Sequence, residues 1–161
     1  MTLPRVTIYT DGSSLGNPGP GGWGAVLMHK DKRRELSAGF KTTTNNRMEI
    51  LAVIEGLAAL KARAEVDLYT DSRYLHDAVN RHWIKGWLKN GWKTAAKKPV
   101  KNKDLWLRLL PLLDRHEVRI HWVKAHNGTP ENERCDVLAK EAAMQPGLPP
   151  DTEYEQATDG A

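Results

Sequence analysis

The chain has 161 residues, 40% of them hydrophobic and 27% charged, which suits one domain with a sizeable core and excludes a collagenous, coiled-coil or mostly disordered chain. Its longest apolar run, Ile50 to Leu60, is broken by Glu55 and falls far short of the ~20 residues that cross a bilayer, so no membrane partner is expected. The net charge of +4 is unevenly spread: residues 81–103 hold eight Lys or Arg and no acid, whereas the rest holds 16 basic against 20 acidic residues, a pattern suited to docking a polyanion through one patch.

Met1 to Pro4 leads into strand-like sequence without the apolar stretch of a signal peptide, and the single Cys135 cannot form an internal disulfide. Both features point to a cytoplasmic setting.

Val6 to Thr10 alternates and is β-branched, which predicts a strand, and the Gly- and Pro-rich stretch Asp11 to Gly22 reads as a long turn. Two further strands, Trp23 to His29 and Glu35 to Thr43, flank the charged turn Lys30 to Arg34 and complete an antiparallel meander. Asn46-Arg-Met-Glu49 has the form of a capping box, followed by Ile50, Val53, Ile54 and Leu57 at helical spacing. Val66 to Thr70 returns to strand character, and Asp71-Ser-Arg-Tyr opens a short helix. After the basic, Trp-rich stretch come a helix over Lys103 to Leu113, a strand over Glu117 to Val123, and a last helix opened by Thr129-Pro130. Beyond Gln145, Pro146, Gly147, Pro149 and Pro150 accompany four acids and no Lys or Arg, which predicts a frayed acidic tail over residues 145–161. The order predicts an α/β fold, a mixed sheet covered by helices, with its chemistry beyond the carboxyl ends of the parallel strands.

Two segments repeat one another: Ile8-Tyr-Thr-Asp11 and Leu68-Tyr-Thr-Asp71 each place an Asp where a strand runs out. Neighbouring strands lie about 4.8 Å apart, close enough for two carboxylates to share a divalent cation. Side by side without one, they would repel and raise each other's pKa. The plainer reading makes both Asp residues turn-formers or caps. Glu49 and Asp136 also have plain readings, as the closing residue of the capping box and as an exposed helix acid. Cys135 is expected to be buried and inert, and Ser13 and Ser14 to be loop residues without a Ser–His–acid arrangement.

Five motifs then occur in order. They are Thr10-Asp11-Gly12-Ser13 with its Gly-rich loop, Thr44-Asn45-Asn46-Arg47-Met48-Glu49, Tyr69-Thr70-Asp71-Ser72, Trp83 through Trp92-Lys93-Thr94, and Val123-Lys-Ala-His126 with Asn132-Glu-Arg-Cys-Asp136. From about Arg5 to Met144 the chain resembles the type 1 ribonucleases H of bacteria. The resemblance implies a five-stranded mixed sheet, three antiparallel N-terminal strands plus parallel ones, in a domain spanning 1–144. It implies a four-carboxylate metal site made by Asp11, Glu49, Asp71 and Asp136, suited to Mg²⁺ or alternatively Mn²⁺. Two such ions would support in-line hydrolysis of the RNA strand of an RNA–DNA hybrid, leaving 3′-hydroxyl and 5′-phosphate ends. His126 takes the family's place for a mobile proton-transfer or product-release residue, a task its usual pKa suits.

The resemblance also assigns the hybrid contacts. Asn17, Asn45 and Asn46 would read 2′-hydroxyls in the minor groove, Thr44 and Asn102 would hold a DNA phosphate, and Trp83 would lie against deoxyribose. Residues 81–103 become a basic protrusion gripping DNA, with Lys97, Lys98 and Lys101 among its cations, while Trp87 and Trp92 could instead anchor it to the body. A monomer without an obligate protein partner is implied. The competing classes are a catalytically silent hybrid-binding module, which could dispense with a carboxylate, and a nuclease or strand-transfer enzyme of the same fold acting on DNA alone, which would not need the Asn set.

Overall fold

The computed structural model describes residues 2–124 and 129–159. Its elements are β1 (Arg5–Ser14), β2 (Gly19–His29), β3 (Lys32–Thr43), α1 (Asn45–Ala58), β4 (Glu65–Thr70), α2 (Arg73–Asn80), α3 (Trp83–Lys89), α4 (Lys103–Arg115), β5 (Glu117–Trp122), α5 (Pro130–Ala143) and α6 (Thr152–Asp159). The five strands form one sheet in the order β3-β2-β1-β4-β5. β1, β2 and β3 pair antiparallel, and β1, β4 and β5 pair parallel. The α/β fold and mixed sheet expected from the sequence are therefore present.

The sheet is packed on both faces. Helix α1 is buried along Met48–Ile54 and again at Gly56 and Leu57, as a helix apolar on nearly all sides must be. It lies against β1 and β2 on one side and α4 on the other. Helix α5 packs on the opposite face, where Val26, Cys135 and Leu138 form a second cluster beside Tyr9 and Met28. No helix among the described residues is long and apolar enough to cross a membrane.

Several local expectations need correction. The Gly-rich stretch is shorter as a turn than it reads, because β1 continues through Ser14 and β2 begins at Gly19. Asp11 therefore lies inside a strand, opposite Gly24 of β2. The first helix is capped by Thr44, whose side chain accepts the Arg47 N–H at 3.2 Å, so Glu49 is not held in a capping box with Asn46. The basic stretch contains a short helix, α3, that its composition hid.

The largest difference concerns the tail. Asp151 is buried, and its carboxylate accepts Thr43 Oγ1 at 2.6 Å, Arg47 Nε at 2.7 Å and Arg47 Nη2 at 3.1 Å. The Lys41 N–H donates to the Pro149 carbonyl at 2.8 Å, and α6 follows. The physical reason is Arg47, only 4% exposed at the start of α1. A guanidinium out of water must be paired on every edge, and Asp104 supplies one edge at 2.7 and 2.9 Å while Asp151 supplies the other. The segment that composition marked for fraying is held by Arg47, the Thr43 hydroxyl and the Lys41 N–H.

Candidate active site

Parallel pairing of β1 with β4 sets Tyr9 against Tyr69, so the two Asp residues, each two positions further on, come to lie together. Glu49 reaches them because α1 crosses β1 very closely at Gly12. A Cβ there would lie 2.4 Å from the Glu49 nitrogen and 2.5 Å from the Met48 carbonyl carbon, so any side chain would push the helix and its carboxylate away. Gly24 does the same for α5, whose Cys135 carbonyl oxygen would be 2.6 Å from an added Cβ, and this brings the neighbouring Asp136 over β1.

Oxygen atoms of Asp11, Glu49 and Asp71 lie within 4.8 Å of one another. Asp136 lines the same cleft, of about 480 Å³, together with Gly12, Ser13, Asn45, Asn46, Ser72, Arg73, Tyr74 and Lys140. It stands outside the tight trio, its carboxylate taking Lys140 Nζ at 3.0 Å, one turn along α5. Asp11 and Glu49 are 4% and 5% exposed. Burial, followed by the charge of Asp71, pushes the Asp11 carboxyl up to about 7, although the Gly12 N–H donated at 2.9 Å works the other way. Glu49 is driven well above the ordinary carboxylate range, first by burial and then by the charges of Asp11 and Asp71.

Glu49 Oε2 is buried with no hydrogen-bond partner among the described residues. An orphaned carboxylate oxygen beside two other acids is unfavourable by itself and favourable around a hard cation. The all-oxygen donor set fits Mg²⁺ or Mn²⁺ and offers nothing to a soft metal.

The other sequence-singled residues fall around this centre. Asn17 Oδ1 accepts the Asn45 N–H at 3.1 Å. Asn17, Thr44, Asn46, Lys101 and Asn102 line a second groove, and Asn46 belongs to both it and the acidic cleft, so the two are continuous. Trp83 opens α3 and is 38% exposed, whereas Trp92 is buried and Trp87 bridges Trp83, Trp92 and core Trp106 at ring distances of 6.3, 6.4 and 5.9 Å. The basic segment is thus rooted by Trp87 and Trp92, with Trp83, Lys97, Lys98 and Lys101 facing outward. His126 lies outside the described residues. Cys135 is buried as expected; its thiol donates to the Tyr9 carbonyl at 3.2 Å, and burial raises its pKa far out of the reactive range.

Sequence reasoning missed Arg73 and Trp122 at the rim. The Arg73 guanidinium carbon lies 4.1 Å from the centre of the Trp122 ring, whose Nε1–H donates to the Asp71 carbonyl at 3.1 Å. The two are 49 positions apart in sequence, and only the β4–β5 pairing reveals their contact.

Comparison with known proteins agrees with this geometry. The family pattern described as RNase H matches residues 4–144. A protein named Ribonuclease H from Nitratidesulfovibrio vulgaris (strain DSM 19637 / Miyazaki F) is 65% identical over 97% of this chain and 100% of its own length. Another of that name, from Oleidesulfovibrio alaskensis, is 63% identical over 94% of this chain and 98% of its own. Among solved structures, LC9-RNase H1, a type 1 RNase H with the type 2 active-site motif, is similar with a TM-score of 0.79 and 34% identity over 89% of this chain and 74% of that one. LC11-RNase H1 in complex with RNA/DNA hybrid is similar at a TM-score of 0.65 and 25% identity, covering 86% of this chain and 96% of that one. The chain belongs to the ribonuclease H family. It is a hydrolase acting on nucleic acid.

Proposed function

We propose that the protein is an endonuclease that hydrolyses the RNA strand of RNA–DNA hybrids, leaving 3′-hydroxyl and 5′-phosphate ends, and that it acts as a monomer. The observation that carries this reading is the trio of carboxylates within 4.8 Å, one oxygen of it buried and orphaned, opening onto a groove lined by Asn and Lys side chains. Asp11, Glu49 and Asp71, with Asp136 beside them, would hold two Mg²⁺ ions. Such ions, when bound, supply activation of water near neutral pH and neutralisation of the charge that gathers on the departing 3′-oxygen.

The chain's own groups do the rest. Asp11 and Glu49 deliver negative charge in a site from which water is largely excluded, so they favour cation over proton once divalent ions are present. Asn17, Asn45 and Asn46 present amides that can both donate to and accept from a 2′-hydroxyl, the group that separates RNA from DNA. Thr44 and Asn102 receive a phosphate of the opposite strand, Trp83 packs on its sugar, and Lys97, Lys98 and Lys101 draw in the duplex by releasing counterions. His126 takes the family's proton-transfer or product-release role.

The test is incubation with Mg²⁺ and end-labelled RNA–DNA, RNA–RNA and DNA–DNA duplexes. Only the hybrid should be cut, in its RNA strand, and the new ends should be 3′-hydroxyl and 5′-phosphate. Cleavage of the DNA duplex, or none of the hybrid, overturns the reading.

A further inference from the structure

Among the described residues, the acidic cleft is lined by two basic side chains, Arg73 and Lys140. Lys140 is occupied by Asp136 at 3.0 Å. Arg73 is exposed and, among the described residues, forms no ion pair; Asp77, one turn further along α2, is taken by His76 at 3.0 Å and Arg81 at 3.8 Å. Its guanidinium carbon lies 4.1 Å from the centre of the Trp122 ring.

That contact sets its orientation. A guanidinium stacked on an aromatic ring keeps its flat face covered and its rim of N–H donors turned outward, the geometry that takes a phosphate with two parallel hydrogen bonds. Trp122 is itself held in place by its Nε1–H bond to the Asp71 carbonyl. The shelf on which Arg73 rests is therefore tethered to the backbone of one of the clustered acids. Arg73 also opens α2, where backbone N–H groups add positive potential.

Which strand it meets follows from the lining of the two grooves. The groove carrying Thr44, Lys101 and Asn102 includes Asn46 and excludes Arg73. Arg73 shares only the cleft of Asp11, Glu49, Asp71 and Asp136, where the reacting phosphate must sit. Tyr74, next in sequence, lines the same cleft, and its hydroxyl accepts Asn102 Nδ2 at 3.3 Å. Asn46 thus joins the acidic centre to the second groove, whereas Arg73 belongs to the acidic centre and not to that groove.

Resting on the function proposed above, we infer that Arg73, braced by Trp122, binds a backbone phosphate of the cleaved RNA strand close to the scissile one, and so sets the position of that strand over the carboxylates.

The experiment uses the full chain and two readouts, equilibrium binding to a fluorescent RNA–DNA hybrid without divalent ions and steady-state cleavage with Mg²⁺. Arg73→Ala should weaken binding and raise KM about ten-fold, the size of one charged hydrogen-bonded contact, while kcat stays within about two-fold. The log–log salt dependence of binding should become shallower by about 0.7–0.9. Arg73→Lys should keep the salt slope and recover only part of the affinity; Trp122→Phe, which keeps the aromatic face and loses the Nε1–H tether, should fall between wild type and Trp122→Leu, and Trp122→Leu should resemble Arg73→Ala. Hybrids carrying one neutral methylphosphonate linkage locate the contact. Wild type should lose affinity at one RNA-strand linkage near the cut, and Arg73→Ala should be indifferent to that change.

Unchanged binding and KM in Arg73→Ala overturn the inference. So does sensitivity that maps to the DNA strand, or a raised Mg²⁺ requirement without change in hybrid binding, which would mean that Arg73 acts on the carboxylates. The binding assay is independent of turnover, so a wild-type protein that binds hybrid through Arg73 but cuts none of it overturns the proposed function and leaves the contact standing.

Discussion

Two places in the molecule bury carboxylates, and they handle the charge in opposite ways. At the start of α1, Arg47 is gripped on two edges by Asp104 and Asp151, and Thr43 adds a hydroxyl. Burial pushes the Asp104 carboxyl up, but the hydrogen bonds and charge of Arg47 outweigh it and leave the pKa below its usual value. Two residues along the same helix, Glu49 faces Asp11 and Asp71, and its pKa and that of Asp11 are driven up by burial and by neighbouring acids. The first cluster is complete and holds the fold together. The second is incomplete, and an incomplete buried charge is what a metal and a polyanion can finish.

The strongest way to break this contrast is to remove a ligand from the incomplete cluster. Asp11→Asn keeps the volume and deletes a charge, and it should lower Mg²⁺-dependent hybrid cleavage by about 10³-fold or more, equivalent to about 4 kcal/mol of lost transition-state stabilisation, with hybrid binding nearly intact. Initial rates and hybrid affinity of the variant decide it, and full activity would refute the site.

The complementary change breaks the finished cluster. Arg47→Ala leaves Asp104 and Asp151 without their cation and should cost about 3–5 kcal/mol in urea unfolding, because the desolvation of the two acids is no longer offset. Asp151→Asn, which retains hydrogen-bonding capacity, should cost less, about 1–3 kcal/mol. A midpoint unchanged by either would show that the tail contributes nothing to stability.

Third in size is the basic segment. Neutralising Lys97, Lys98 and Lys101 together should flatten the salt dependence of hybrid binding by about 2–3 in log–log slope, since each phosphate contact contributes about 0.9 on a duplex. An unchanged slope would mean that these lysines only solvate the protrusion.

The smallest effect sharpens the comparison through pH. The Asp11 pKa rises on folding, from its ordinary value of 3.8 to about 7, so the folded state holds that proton more tightly than the unfolded state does. Its contribution is fully present below 3.8 and is lost as pH rises through about 7. In EDTA, the stability difference between wild type and Asp11→Asn should therefore shift in favour of the variant from pH 4 to pH 8. Mg²⁺ should raise the wild-type melting temperature at pH 8 by a few degrees, about 2–4 °C for each kcal/mol of binding, and leave the variant nearly unmoved. A difference that stays flat with pH would contradict a desolvated Asp11.

Much of the fold was legible because its signals are local. Period-two alternation marked β1, β4 and β5, helical spacing of Ile50, Val53, Ile54 and Leu57 marked α1, and Pro130 marked the start of α5. The repeated Tyr-Thr-Asp at Asp11 and Asp71 was readable too, since parallel strands in matching register set equivalent positions side by side. Glu49 and Asp136 were singled out by resemblance, and spacing alone left each with an ordinary helical role.

Composition and periodicity thus determined most of the element sequence, α3 and α6 excepted, together with the basic segment and the repeated Asp11 and Asp71, and resemblance added Glu49 and Asp136. Only the tertiary structure decided which cap closes α1, that Gly12 admits the helix closely enough for Glu49 to join Asp11, that Asp151 reaches back to Arg47, and that Trp122 carries Arg73. The reason is range. Backbone preference and hydrophobic period act over a few residues and leave their trace in sequence, whereas burial, charge pairing and close approach depend on groups such as Arg47 and Asp151, 104 positions apart, that meet only when the core has formed.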